Sequence, residues 1–168
     1  MVPYESRNIT GEEWLDTVTL SPDLVILGQS IGVASPSAGL NGPGIDGILG
    51  VGPTGLTQGT VNNTCTVPTV SDNLFSQGTI SEEVLGVYFT PAAETSNGEL
   101  TFGGYDESVI DGPVNYVPLA TTLSASNFWG IDQSISYGNT TILSETAGIV
   151  DTGITLIVIA TGECCDTG

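Results

Sequence analysis

Ala147-Gly148-Ile149-Val150-Asp151-Thr152-Gly153-Ile154-Thr155-Leu156 is the stretch on which the fold turns. Two apolar, β-branched residues, Ile149 and Val150, deliver an aspartate to a tight Asp-Thr-Gly turn. A second apolar run, 155–160, leads away from it. Gly153 lets the backbone approach the carboxylate closely, because it has no Cβ. The Thr152 hydroxyl can tie the loop to a neighbour. An Asp-Thr-Gly tripeptide alone is an ordinary turn. A carboxylate turn bracketed by apolar strands on both sides is less ordinary.

Outward from this segment, short runs rich in Val, Ile, Thr and Tyr alternate with 23 Gly and 9 Pro, the pattern of many short strands and turns. Strands are expected over 13–20 and 24–33, joined into a hairpin by Ser21-Pro22-Asp23. Further strands are expected over 85–90, 99–102, 114–119, 129–137, 140–142, 148–150 and 155–160. Asn41-Gly42-Pro43-Gly44 breaks the chain before the apolar run 45–52. Val70, Leu74 and Phe75 predict a helix over 69–77, ended by Gly78, and 81–84 reads as a further helical turn. The class is mostly antiparallel β with one or two short helices. No internal repeat and no long linker divides the 168 residues.

Composition limits the chemistry. Nineteen acidic residues face one basic residue, Arg7, giving a formal net charge of −18. Yet 39% of residues are apolar, 12% are charged and the mean hydropathy is +0.23, which is no disordered acidic tail. One cation cannot neutralise phosphates, so nucleic acid and anionic membrane surfaces are excluded as partners. With no histidine, Ser-His and Cys-His catalysis and His-ligated zinc are impossible. Three cysteines, Cys65, Cys164 and Cys165, exclude a four-thiolate metal site and cannot all pair within the chain. Proton chemistry is left to carboxylates, Tyr and Cys. The start, Met1-Val2-Pro3-Tyr4-Glu5, has neither the basic nor the apolar region of a signal peptide. Asn-X-Thr sequons stand at Asn8, Asn62 and Asn139, surface-loop candidates in a secreted chain.

Several ordered motifs together resemble one family. Ile149-Val150-Asp151-Thr152-Gly153 is similar to the second catalytic motif of the pepsin-like aspartic proteases. Ile45-Asp46-Gly47-Ile48-Leu49-Gly50 resembles their Phe-Asp-Gly-Ile-Leu-Gly segment, and Asp72 to Gly78 the helix that follows it. Gly98 to Asp106 resembles the Gly-Gly-x-Asp hairpin, and Phe128-Trp129-Gly130-Ile131 the strand before the second aspartate. The Thr- and Ser-rich, lysine-poor style is closest to secreted fungal members.

The resemblance implies a bilobal β-barrel fold, present in part over 1–160. That span would hold the later part of the N-terminal lobe and the early part of the C-terminal lobe, with 161–168 unmatched. It implies Asp151 as a catalytic aspartate, Thr152 and Gly153 as its supporting loop, Tyr4 as the flap tyrosine, and Ile45 and Ile48 as lining of the substrate pocket. In such a dyad two aspartates share one proton, since like charges that close cannot both ionise. Water activated between them attacks a peptide bond, so neither cofactor nor metal is needed. The implied partner is a peptide or protein substrate, the implied state monomeric, and the implied location extracellular or vacuolar.

Four departures stand out. The first aspartate motif is expected upstream of Met1. The segment Tyr4-Glu5-Ser6-Arg7-Asn8 lacks the flap's Gly-Ser/Thr-Gly run. Ile154 stands where the family has a hydroxyl bonding the carboxylate, which removes a hydrogen bond favouring the ionised form. Resemblance ends near Ala160, and the tail's Asp166-Thr167-Gly168 has no strand after it and reads as chance. Alternatives are a homodimer contributing one aspartate per chain and a non-catalytic peptide-binding remnant of the fold. Half-lobes are also expected to leave unpaired sheet edges and exposed apolar faces.

Overall fold

Pro22 and Asp23 reverse the chain between the two longest strands, β3 (Gly11–Ser21) and β4 (Leu24–Ala34). This hairpin anchors the first of two units in the computed structural model, Met1–Val114 and Asn115–Gly168. The structure describes residues 2–4, 7–35, 46–91, 93, 98–154 and 156–159. Among them the remaining strands are β1 (Val2–Tyr4), β2 (Arg7–Ile9), β5 (Leu85–Tyr88), β6 (Glu99–Phe102), β7 (Gly130–Tyr137) and β8 (Thr140–Ile149). They pair consecutively into four two-stranded antiparallel sheets. One α-helix, α1 (Val70–Ser76), and short 3₁₀ turns at Thr54–Thr57 and Glu107–Val109 complete the set.

The β3–β4 ladder carries a bulge. Asp16 faces Gln29 and Val18 faces Ile26, so Leu27 and Gly28 together oppose Thr17. Gly28 takes φ +64°, a left-handed conformation that glycine adopts at no steric cost. Leu27 then exchanges two bonds with the Gln77 side-chain amide: its N–H donates to Oε1 at 3.0 Å, and its carbonyl accepts from Nε2 at 3.0 Å. Beside it, the buried Gln29 accepts from Asn73 Nδ2 at 2.9 Å and donates to Ser30 O at 3.1 Å. Two glutamine amides thus fasten α1 to β4.

The helix is defined at both ends. The Thr69 side chain accepts from Asp72 N, and the Asp72 carboxylate accepts from Thr69 N, a reciprocal capping box. At the other end Gly78 takes φ +72°, Gly78 N–H donates to Phe75 O and Thr79 N–H to Leu74 O, a Schellman closure. Its inner face buries Val70 and Leu74 against Ile26 and Ile80, with Val18, Leu20, Leu24 and Phe102 packed around them. Burying such a side chain contributes about 1.5–3 kcal/mol, enough to hold a helix too short to stand alone.

The helix N-terminus also carries a carboxyl pair. Burial pushes the Asp72 carboxyl up, but hydrogen bonds from the Thr54 hydroxyl, the Thr69 backbone and Glu83 outweigh it and hold Asp72 below the ordinary range. The bond to Asp72, with smaller contributions from burial and from the Asp72 charge, raises Glu83. A raised carboxyl contributes stability that is fully present below its unfolded value of 4.5 and is lost as pH climbs through the folded value. Glu83→Gln keeps a donor for Asp72 without the charge. It should leave stability unchanged at about pH 4 and raise it at about pH 7 by a few tenths of a kcal/mol, the scale of an exposed charge pair. Melting midpoints at the two pH values check this.

Three expected elements do not form. Residues 114–119 make no strand: Pro118 has no N–H to give a ladder, and Val114, Tyr116, Val117 and Leu119 stay exposed. Residues 81–84 make no helical turn: 81 and 82 bend, and Val84 O accepts from Gly103 N beside the β5–β6 sheet. The described part of 155–160, residues 156–159, has no strand partner, and Leu156, Ile157 and Val158 stand exposed. Conversely, 140–142 and 148–149 prove to be the ends of one strand, with Val150 just beyond it. Gln133 faces Thr146 and Ile135 faces Leu143, so the polar middle of β8 is a bulge and not a break. Apolar side chains stand exposed on β3 and β4, among them Trp14, Leu15, Leu27 and Val33.

Candidate active site

The Asp151 turn is positioned by the β7–β8 hairpin of the second unit. Gly130 faces Ile149 at the open end of the ladder, and Val150 N–H donates to Trp129 O at 2.9 Å, extending the pairing by one residue. The start of β7 is itself held from behind. Ala120 N–H donates to Gly130 O at 2.9 Å, and Ala120 and Ala125 are buried. A Cβ on Gly130 would fall 2.6 Å from Ala125 O, so only glycine fits. Ala120, Ala125 and Gly130 are positioning residues that the sequence reading did not single out. The signal available for them was the glycine directly after Trp129.

Beyond this clamp the chain leaves the ladder and turns. Gly153 N–H donates to Asp151 Oδ1 at 2.8 Å. This bond closes the Asp-Thr-Gly turn on its own carboxylate. A Cβ on Gly153 would sit 3.2 Å from that same oxygen, tighter than ordinary contact. Asp151, Thr152 and Gly153 are all exposed, and Ile154 follows at the surface.

The other candidate residues belong to the first unit. Tyr4 closes β1, its backbone opposite Arg7 of β2, while Glu5 and Ser6 between them lie outside the described residues. Ile48 is in irregular chain after β4 and is half exposed. Ile45, Asn41 to Gly44, Cys164, Cys165 and the tail aspartate Asp166 lie outside the described residues. Among the described residues, no three His, Cys, Asp or Glu side chains group to hold a metal ion, and no helix is long and apolar enough to cross a membrane.

Residues 1–166 match the eukaryotic aspartyl protease family. The chain belongs to that family. This aspartyl protease chain is 54% identical to polyporopepsin of Irpex lacteus over 164 residues, which are 95% of this chain and 47% of that protein. It is 40% identical to rhizopuspepsin of Rhizopus chinensis over 147 residues, 86% of this chain and 35% of that one. Among solved structures, the crystal structure of the aspartic proteinase from Irpex lacteus matches with a TM-score of 0.89 at 52% identity, over 96% of this chain and 48% of that one. The mostly-β fold with few helices is the pepsin-like acid protease fold. The chain spans about half, or less, of the length of these relatives.

Proposed function

We propose that the chain is the Asp151-bearing portion of an aspartic endopeptidase that hydrolyses peptide bonds at acid pH. The observation that carries the proposal is the Asp-Thr-Gly turn closed on its own carboxylate at the end of β8, in a chain of the aspartyl protease family. Asp151 works with a second aspartate supplied by sequence outside the 168 residues. One carboxylate is ionised and takes a proton from water, whose oxygen attacks the substrate carbonyl. The protonated partner stabilises the developing oxyanion. Proton transfer to the amine then releases the two peptides. By the family resemblance, Thr152 and Gly153 support the loop, Tyr4 is assigned to the flap, and Ile45 and Ile48 to the substrate pocket.

The wider setting follows the same resemblance. The substrate is a peptide or protein, the enzyme is a monomer without cofactor or metal, and its place is extracellular or vacuolar. Residues 1–160 hold the later part of one lobe and the early part of the next. A net charge of −18 suits acid conditions, where carboxylates are partly neutralised and self-repulsion falls.

The test is cleavage of a denatured protein at low pH. A chain extended upstream through a first Asp-Thr-Gly and downstream through the rest of the second lobe is expected to show pepstatin-sensitive cleavage that the 168-residue chain lacks. Absence of cleavage from both overturns the proposal. The non-catalytic reading, which Ile154 in place of a hydroxyl favours, is then the one left, and it requires peptide binding without turnover.

A further inference from the structure

Three Asn-X-Thr sequences occur in the chain, and the fold gives them different settings. Asn8 is in β2, its backbone opposite Pro3. Asn62 is exposed in a turn where Asn63 adopts φ +62° and Thr64 N–H bonds Val61 O. Asn139 is the second residue of the two-residue turn Gly138-Asn139 that joins β7 to β8. We infer that Asn139 is an acceptor for an N-linked oligosaccharide, a site that rests on the extracellular or vacuolar location proposed above.

The hairpin tip is accessible. Asn139, Thr140 and Thr141 are all exposed, and neither the Asn139 nor the Thr141 side chain has a hydrogen-bond partner among the described residues. Gly138 takes φ +60°, and a Cβ there would meet nothing within 4 Å. Nothing among the described residues crowds the turn at Gly138. Thr140, the middle residue of the sequon, is not proline, as acceptor sequences require.

The chemistry is a glycosyl transfer. The Asn139 amide nitrogen attacks the anomeric carbon of an oligosaccharide carried on a lipid pyrophosphate. A nitrogen–carbon bond forms, the carbon–oxygen bond to the pyrophosphate breaks, one amide proton leaves, and the lipid pyrophosphate departs. The oxidation state of every atom is conserved, and a secretory-pathway transferase supplies the catalysis.

The site also has a use in this fold. Tyr137, two residues before Asn139, is 81% exposed, and the β7–β8 sheet has two strands among the described residues. A hydrated glycan at the tip covers an aromatic ring and obstructs edge-to-edge pairing between copies. It does so far from the proposed chemistry. At about 3.3 Å per residue, the ten residues of β8 place Asn139 roughly 30 Å from the Asp151 turn. Both turn sequons are accessible; Asn139 is the one whose neighbours a glycan would protect.

Peptide mapping of the protein from its native source tests the inference. Enzymatic release of N-glycans in heavy-oxygen water should convert Asn139 to labelled aspartate in its peptide. In a yeast secretory host, Asn139→Gln and Thr141→Ala should each abolish the glycan on that peptide, and Thr141→Ser should retain it. An unmodified Asn139 peptide from the secreted native protein overturns the inference, as does label that survives Thr141→Ala. Activity separates the two proposals: a glycan at Asn139 on a protein with no acid peptidase activity sinks the protease reading alone. An active, secreted protein without it sinks this inference alone.

Discussion

Asn in place of Asp151 should remove peptide-bond hydrolysis while leaving the fold in place. The substitution is close to isosteric, and the amide oxygen can still accept the Gly153 N–H that now bonds Oδ1 at 2.8 Å. What disappears is the ability to share a proton with a facing carboxylate and to take one from water. General acid–base steps of this kind contribute about 10²–10⁴-fold, and the two carboxylates act as a unit, so a loss of about 10³-fold or more in kcat is expected. Peptide affinity should change little, because the turn keeps its shape. The measurement is kcat and KM at acid pH for the enzyme extended through both lobes, with thermal midpoints showing that both proteins fold alike. Retention of more than about a tenth of kcat would remove Asp151 from the chemistry. Gly153→Ala is a useful contrast, since its Cβ would press on the same carboxylate oxygen from 3.2 Å and shift the group without discharging it. It should reduce activity by a smaller factor and move KM as well.

Much of the local structure was legible because its causes are local. The Pro22-Asp23 turn and the left-handed Gly78 act through residues within a few positions of themselves, and the observed β3–β4 hairpin and α1 fall within a residue or two of expectation. The illegible parts all depend on a distant partner. Gly28 and Leu27 form a bulge whose exposed peptide groups are met by Gln77, fifty residues away. The polar stretch in the middle of β8 reads as an interruption in isolation, yet pairing with β7 carries the strand through it. Residues 156–159 have the apolar, β-branched composition of a strand and form none, because strand propensity expresses a fit to a neighbour and none is present among the described residues. At the candidate site the same division holds. The Asp-Thr-Gly turn is written in three adjacent residues, whereas the clamp of Ala120 and Ala125 on Gly130 that aims it is a tertiary contact.

Leu74→Ala should be the most destabilising single truncation in the first unit. Leu74 and Ile26 are the fully buried large side chains among the described residues, and they meet at the centre of the cluster that joins α1 to β4. Removing the isobutyl group forfeits its transfer free energy and leaves a cavity that the surroundings fill only in part, a combination costing about 2–5 kcal/mol. Here the cost should lie near the middle, about 3 kcal/mol, because a seven-residue helix can shift inward somewhat but is tethered at Gln77 and Asn73 by bonds to β4. The next residue provides the control. Phe75 is 46% exposed and outside the core cluster, so Phe75→Ala should cost under about 1 kcal/mol despite deleting a larger group. Urea unfolding followed by circular dichroism distinguishes them: the Leu74 variant should move the midpoint with an unchanged slope, and the Phe75 variant should barely move it. Equal losses at the two positions would mean that α1 is held by its outer face. The glutamine tethers, which orient the inner face onto Ile26, would then have to be bonds of the surface and not of the core.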